Sequence, residues 1–437
     1  MINSTTDEYY RNYYGAYLGK YIKNRSAQDT RFNYILAFII ICILLATIAL
    51  TQPLFASADT KGATIAYSPP PSNSIIVDRQ VFEQNIKQKY KTNQINFPTA
   101  GIAHIKKVKY INSKPVKINI VEVNTNVNPY LKVKPQTASE KLNSKTTVRK
   151  IAQRDSAIVA VNGGFFKPQT GVPLGALMID RKVLTGPIYN RVGIAIFEKN
   201  HKTSYKMANI EFEIKATTKH NTVKVDNINQ PRMLQSYMLL YTSDWGKTIP
   251  TAPKNGWNMV IRNNKMVKMT ANATEIQKGD MVLQGNKDIL AKLAQDGDIS
   301  IDIKLQDELE GAKHIISAGP YLVKNSQIYV DTQTQRLQAI SGKNPRSAIG
   351  YKHDGTLIIV TVDGREEMSV GMTLKELAVL MKNLGCEYAM NFDGGSSSAI
   401  YVKGRITNQA VSKEGIAVSN ALTVSEVSPY EMQLAGI

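Results

Sequence analysis

Two carboxylates, Asp363 and Asp393, each close an apolar run and are each followed by glycine. The second opens the more unusual stretch, "NFDGGSSSAIYVKG", in which two glycines and three serines separate two strand-like runs. A polar β-turn accounts for the glycines but has no use for a row of hydroxyls. The alternative is a ligand loop. Gly394 and Gly395 let the backbone come close to another group. The hydroxyls and N–H groups of Ser396, Ser397 and Ser398 would then cradle an anion as a nest. Asn162, Gly163 and Gly164 in "AVNGGFF" repeat the theme, with an amide donor beside two glycines at a strand end.

Other chemistries find less support. The five histidines are scattered, none neighbours a serine motif, and none has zinc-ligand spacing. A Ca2+ or Mg2+ ion held by Asp and backbone oxygens stays open, and no other cofactor is implied. Of the two cysteines, Cys42 lies in the most apolar segment and Cys386 at a helix-to-strand junction. Cys386 reads as a small core residue, and the soluble part has no second cysteine to pair with it.

The elements that would position these groups follow from the patterning. Leu357–Val362 is a continuous apolar run and predicts a buried strand. Thr373 with Glu376 forms a capping box, the apolar residues from Leu374 to Leu384 have helical spacing, and Gly385 supplies a stop. Tyr388–Phe392 is a second strand. This is a βαβ unit with parallel strands and a right-handed crossover. If its strands are neighbours, about 4.8 Å apart, Asp363 and Asp393 emerge side by side. Upstream, Val116–Val123 alternates as a strand, Thr146 or Thr147 caps a short helix, "GALMIDRKVLTGP" reads as a hairpin, and 201–310 is strand-rich with one helix in "NKDILAKLAQDGD". The expected class is α+β: a mixed sheet with the C-terminal βαβ unit and substantial antiparallel strands, preceded by one N-terminal transmembrane helix.

That helix is expected over 32–55, around the uncharged run Tyr34–Leu50. Basic residues dominate the 1–31 tail, which the positive-inside rule assigns to the cytoplasm. Ala56-Ser57-Ala58 also fits a signal-peptide cleavage site after Ala58. Either way the rest is exported, periplasmic or extracellular. A Pro-rich tether and short helix fill 56–100, a strand-rich domain 101–427, and a tail 428–437. The chain has 437 residues, 43% hydrophobic and 20% charged, enough for a packed core. A net charge of +19 favours an anionic partner. The lysines and arginines are spread along the chain without a nucleic-acid module, so no nucleic acid is expected.

In order, "AVNGGFF", "SAGPYLV", "NPRSAIG", the long "VTVDGREEMSVGMTLKELAVLMKNLGCEYAMNFDGGSSS" and "VSNALTV" make the chain resemble the phosphodiester glycosidase family over about Gly101–Val427. Ser396 stands where that pattern has a third glycine, and Ala399 where it has threonine. The resemblance implies hydrolysis of a sugar 1-phosphodiester, with an anionic sugar phosphate or surface polysaccharide as partner. Cleavage at the sugar carbon expels a phosphate monoester, so stabilising charge matters more than donating a proton. Arg346 in "NPRSAIG" and Arg365 in "DGR" are the candidate phosphate forks. Asp363 and Asp393 are the candidate carboxylates, one as nucleophile or base and the other as acid or orienter. Asn162, Gly163, Gly164, Asn391, Gly394, Gly395, Ser396 and Ser397 would line the substrate.

Overall fold

The computed structural model describes residues 72–199, 202–410 and 412–427. Its largest sheet has eight strands in the spatial order β1-β2-β3-β10-β9-β11-β7-β8. These are β1 (Ile95–Thr99), β2 (Ile102–Ile111), β3 (Lys114–Val123), β7 (Tyr321–Lys324), β8 (Gln327–Ile328), β9 (Arg346–Tyr351), β10 (Leu357–Val362) and β11 (Tyr388–Asn391). A five-stranded sheet, ordered β13-β12-β5-β14-β4, comprises β4 (Leu131–Thr137), β5 (Val159–Asn162), β12 (Ile400–Val402), β13 (Arg405–Ile406) and β14 (Asn420–Glu426). Strand β6 (His314–Ser317) sits in the middle of another five-stranded sheet, between Leu177–Ile179 and Val192–Lys199.

Helix α1 (Ser72–Tyr90) lies over the large sheet near β2, α2 (Val148–Arg154) packs on β5, and α3 (Lys287–Gln295) packs in the middle section. Helix α4 (Leu374–Asn383) forms as the sequence predicts. Thr373 and Glu376 exchange both bonds of the capping box, and Leu374, Leu377, Ala378, Leu380 and Met381 are buried. Gly385 follows at φ +89°, a backbone setting that glycine adopts without strain. Thr147 caps α2, as expected. The Leu177–Thr185 hairpin also forms; Asp180 and Arg181 supply the two positive φ angles its tight turn requires.

The expected α+β class is corrected. Among the described residues the structure is mostly β, 44% strand against 14% helix, with its sheets in a propeller-like ring. The βαβ pattern at 357–391 is real but local, and antiparallel pairs build most of the rest. No helix among the described residues is long and apolar enough to cross a membrane. The run expected to span, 32–55, lies outside the described residues, as do the 1–31 and 428–437 tails. Within 56–100, a helix runs over Ser72–Tyr90.

A second correction concerns the βαβ unit itself. Strands β10 and β11 are parallel, but both pair antiparallel with β9, which lies between them. Their ends are therefore two strand spacings apart, roughly 9.5 Å, rather than one. The insertion puts the start of β9, and with it Arg346, at the same sheet edge as Asp363 and Asp393.

Candidate active site

The Asp393 loop is assembled by backbone hydrogen bonds from three distant segments. Asn391 exchanges bonds with the Gly319-Pro320 corner, accepting from Gly319 N at 2.9 Å and donating to Pro320 O at 3.0 Å. Phe392 N donates to Ser347 O at 2.9 Å, Asp393 N to Gly163 O at 3.0 Å and Gly395 N to Pro345 O at 2.9 Å. Phe392 itself is core, so the acid is set just outside a fixed anchor. Four of the motifs that looked separate in sequence thus meet at one point, the end of β11.

Asp393 sits in a recess. Burial pushes its carboxyl up to about 6, against the lowering effects of the Ser397 hydroxyl, the Gly394 N–H and the charge of Arg191. The Gly394 N–H reaches its Oδ1 at 3.0 Å. Arg191 went unremarked in the sequence. It is buried, with its guanidinium 4.8 Å from the Phe165 ring and 5.4 Å from the Tyr189 ring. The one available signal was Phe165, the first aromatic of "AVNGGFF". Nothing in the linear pattern joins it to Arg191.

Asn162 is fully engaged within the protein. Its Nδ2 donates to Asp393 O at 2.6 Å, and its Oδ1 accepts from Ser347 Oγ at 2.6 Å and Ala399 N at 3.2 Å. Gly163 and Gly164 are needed for packing: a Cβ would stand 2.1 Å from Asn420 Oδ1 at the first and 2.3 Å from Ser317 O at the second. Asn420, in "VSNALTV", accepts from Gly164 N at 2.8 Å. Asn391 donates to Gly319 O at 3.0 Å and to Phe392 O. Its buried Oδ1 and the buried Ser398 Oγ have no hydrogen-bond partner among the described residues.

The arginines differ sharply. Arg346 is 1% exposed and donates to three main-chain carbonyls, those of Met372 (2.8 Å), Ile340 (2.7 Å) and Gly342. Burial and the nearby Arg365 lower its guanidinium to about 10. Arg365 is exposed, in the left-handed region at φ +66°, and its fork holds Asn344 Oδ1 at 2.8 and 3.2 Å. It also reaches Ser396 Oγ at 3.5 Å and lies against Gly395, where a Cβ would be 3.1 Å from Nη2. Gly395 and Ser396 therefore form the wall shared by Arg365 and the Asp393 loop.

Asp363 faces elsewhere. It accepts from Gln409 N at 3.0 Å and from the Asn408 side chain, and burial raises its pKa. Asn408 in turn donates to Ser398 O at 3.1 Å and accepts from Ile400 N at 2.8 Å. Asp363 thus reaches the serine row through Asn408, and each carboxylate has its own set of partners. Among the described residues no three His, Cys, Asp or Glu side chains converge as a metal site.

Residues 246–425 match the phosphodiester glycosidase family. The motif resemblance holds over that segment, which contains Arg346, Asp363, Arg365 and Asp393 but not Asn162 or Arg191. A prophage-derived uncharacterized protein of Bacillus subtilis is 35% identical over 147 residues, 34% of this chain and 21% of that one. The mouse N-acetylglucosamine-1-phosphodiester alpha-N-acetylglucosaminidase is 27% identical over 105 residues, 22% of this chain and 20% of its own. The chain thus spans about a fifth of each of these curated relatives. The fold is shared with a hypothetical protein from Synechocystis (TM-score 0.68, 23% identity, 75% of this chain and 63% of that one). It is also shared with a putative exported protein from Burkholderia pseudomallei (TM-score 0.60, 21% identity, 71% and 74%).

Proposed function

We propose that the chain hydrolyses sugar 1-phosphodiesters at the sugar carbon–oxygen bond, releasing a reducing sugar and a phosphate monoester. The observation that carries this is Asp393: a recessed carboxyl held near 6, steadied by Ser397 and Gly394, with Arg191 close by. A catalytic group works best when its pKa lies near the working pH. The phosphate leaving group departs without a strong proton donor, so Asp393 acts as the ionised carboxylate, as nucleophile or as base toward water. Arg365, exposed beside Gly395 and Ser396, is placed to hold the departing phosphate. Arg346 supports it from behind by fixing the 340–342 and 372 carbonyls. Asp363 orients the serine row through Asn408.

The family match over 246–425 supports this reading, as does the description of the mouse relative. The apolar run Tyr34–Leu50 supports export of the domain, as anchor or as cleaved leader, with a surface glycopolymer as substrate. Turnover of an N-acetylglucosamine 1-phosphate methyl diester in 18O water tests the chemistry. Label in the sugar is expected. Label in the phosphate would show P–O cleavage, and turnover of no sugar phosphodiester would reduce the chain to a binding protein on this fold.

A further inference from the structure

The β2–β3 hairpin outruns the sheet that carries it. Strand β1 accompanies β2 only to Ile105, with a last bond from Lys106 N to Gln94 O. Strand β10 accompanies β3 only to Ile118, with a last bond from Asp363 N to Lys117 O. Beyond those points neither strand has a further strand partner, and only the Ser369-Val370 loop bonds to β3 before the Asn112-Ser113 turn at φ +50° and +62°. The direction of the overhang is set by the register. It continues past the C-terminal end of β10, the edge where Asp363, Arg346 and Asp393 gather.

The base of this arm is fastened to the site. Lys117 N donates to Ser369 Oγ at 2.9 Å, Val370 N to Pro115 O at 3.1 Å, and Lys117 Nζ to Gln409 Oε1 at 3.5 Å. Ser369 donates to Asp363 O, and Gln409 N to the Asp363 carboxylate. The tip is different. Lys106, Lys107, Lys109 and Lys114 are exposed, together with Val108 (49%) and Tyr110 (69%). The sequence has no Asp or Glu between Glu83 and Glu122 to balance these charges. Strand alternation puts Lys106, Val108 and Tyr110 on one face, opposite Lys117 and Pro115. An exposed cationic ribbon with an aromatic face, rooted beside Asp363, suits something anionic and extended.

We propose that this hairpin is a remote subsite for a polyanionic, phosphodiester-linked glycan whose reacting bond lies at Asp393. The inference rests on the hydrolase reading above and names its substrate as a chain rather than a single diester. The lysines meet successive phosphates as point charges. The Tyr110 ring offers an apolar face and a polar tip to a sugar.

The test uses the full chain, the triple variant Lys106→Gln/Lys107→Gln/Lys109→Gln, and Tyr110→Ala. All four positions are exposed, so melting curves should match the parent. The probes are a polymer of N-acetylglucosamine 1-phosphate repeats, the methyl diester of one unit, and vesicles containing phosphatidylglycerol. The triple variant should bind the polymer about ten-fold more weakly at low salt, and its log K against log salt slope should flatten by about 2. Its kinetics on the single diester should be unchanged. Tyr110→Ala should weaken polymer binding without changing the slope. Polymer affinity of the triple variant within about two-fold of the parent would overturn the proposal. So would a loss of vesicle binding as large as the loss of polymer binding, which would assign the arm to a membrane surface. If the parent cleaves neither substrate while the triple variant still loses the polymer, the hydrolase reading falls and the arm stands.

Discussion

Asn162, at the end of β5, and Asp393, in the loop after β11, are locked together: the Asn162 Nδ2 donates to the Asp393 carbonyl at 2.6 Å, and Asp393 N donates back to Gly163 O at 3.0 Å. The acid's position is thereby set by a strand more than half the domain away in sequence. Asn162→Ala removes one donor and one acceptor and strands Ser347 Oγ, Ala399 N and Asp393 O. Unpaired buried polar groups cost about 1–3 kcal/mol each, so a loss of at least about 2 kcal/mol is expected. Chemical denaturation and residual activity, compared with Asn162→Asp, check it. The aspartate keeps the acceptor and should recover part of the stability.

Asp393→Asn should lower kcat by at least about 10²-fold, the lower range for a positioned acid or base. Its parent's kcat/KM should rise with pH through about 6, because the ionised carboxylate is the working form. A profile that falls through that range would identify a general acid instead.

The same group acts on stability in the opposite sense. A carboxyl raised to about 6 binds a proton in the folded state where the unfolded chain has released it. Stability from this group is therefore full below its unfolded pKa and is lost as pH rises toward 6. Asp363, raised by burial, contributes with the same sign. Asp393→Asn should be more heat-stable than the parent above pH 6, and melting curves across pH 4–8 read this directly. An equal or lower Tm at pH 7 would contradict it.

Arg346→Lys and Arg365→Lys should separate. Lysine cannot make the three carbonyl bonds of buried Arg346, so that variant should lose stability and activity together on every substrate. Arg365→Lys should keep its Tm and lose rate on phosphodiesters, with a smaller loss on an aryl glycoside whose leaving group has no phosphate. An equal Arg365 defect on both substrates would remove it from the phosphate.

At the other end of the large sheet, buried Glu122 pairs with Lys352 at 2.6 Å and Lys89 at 2.7 Å and accepts from Tyr90. These contacts tie α1 to β3. The two lysines hold the Glu122 pKa down despite its burial. Glu122→Gln leaves two cations without their counter-charge, and about 3 kcal/mol of destabilisation is expected. The Glu122 contribution is present at neutral pH and lost as pH falls, so the gap between parent and variant should close in acid. Cys386, close by, is buried and pushed up to about 12, so it should resist thiol reagents until the protein unfolds.

Local features were legible where one short segment carries its own instruction. The Thr373–Glu376 box, the Gly385 stop and the Asp180-Arg181 turn need no distant partner to be read. Strand order is another matter: nothing within Leu357–Asn391 says that β9 will slide between its two strands. The fold class departs from the α+β expectation for a related reason: the clearest pattern is the βαβ unit, while the weaker, shorter strands are more numerous. In the site, glycine-flanked Asn162 and Asp393 stood out. Arg191 did not, since Phe165 and Asp393 reach it only through folding. Gly163 and Gly164 were readable as close-approach positions, but what approaches them is Asn420 and Ser317.

Strand β14 lies between β4 and β5, although it follows β5 by about 258 residues and is the last described strand to leave the ribosome. Its Asn420 also supplies the acceptor for Gly164 N. Until β14 is made, β4 and β5 have no strand to join them in this sheet. A polypeptide cut short before β14 would lack both this strand and the acceptor of Gly164 N, so the candidate site closes only once the chain has run through Asn420.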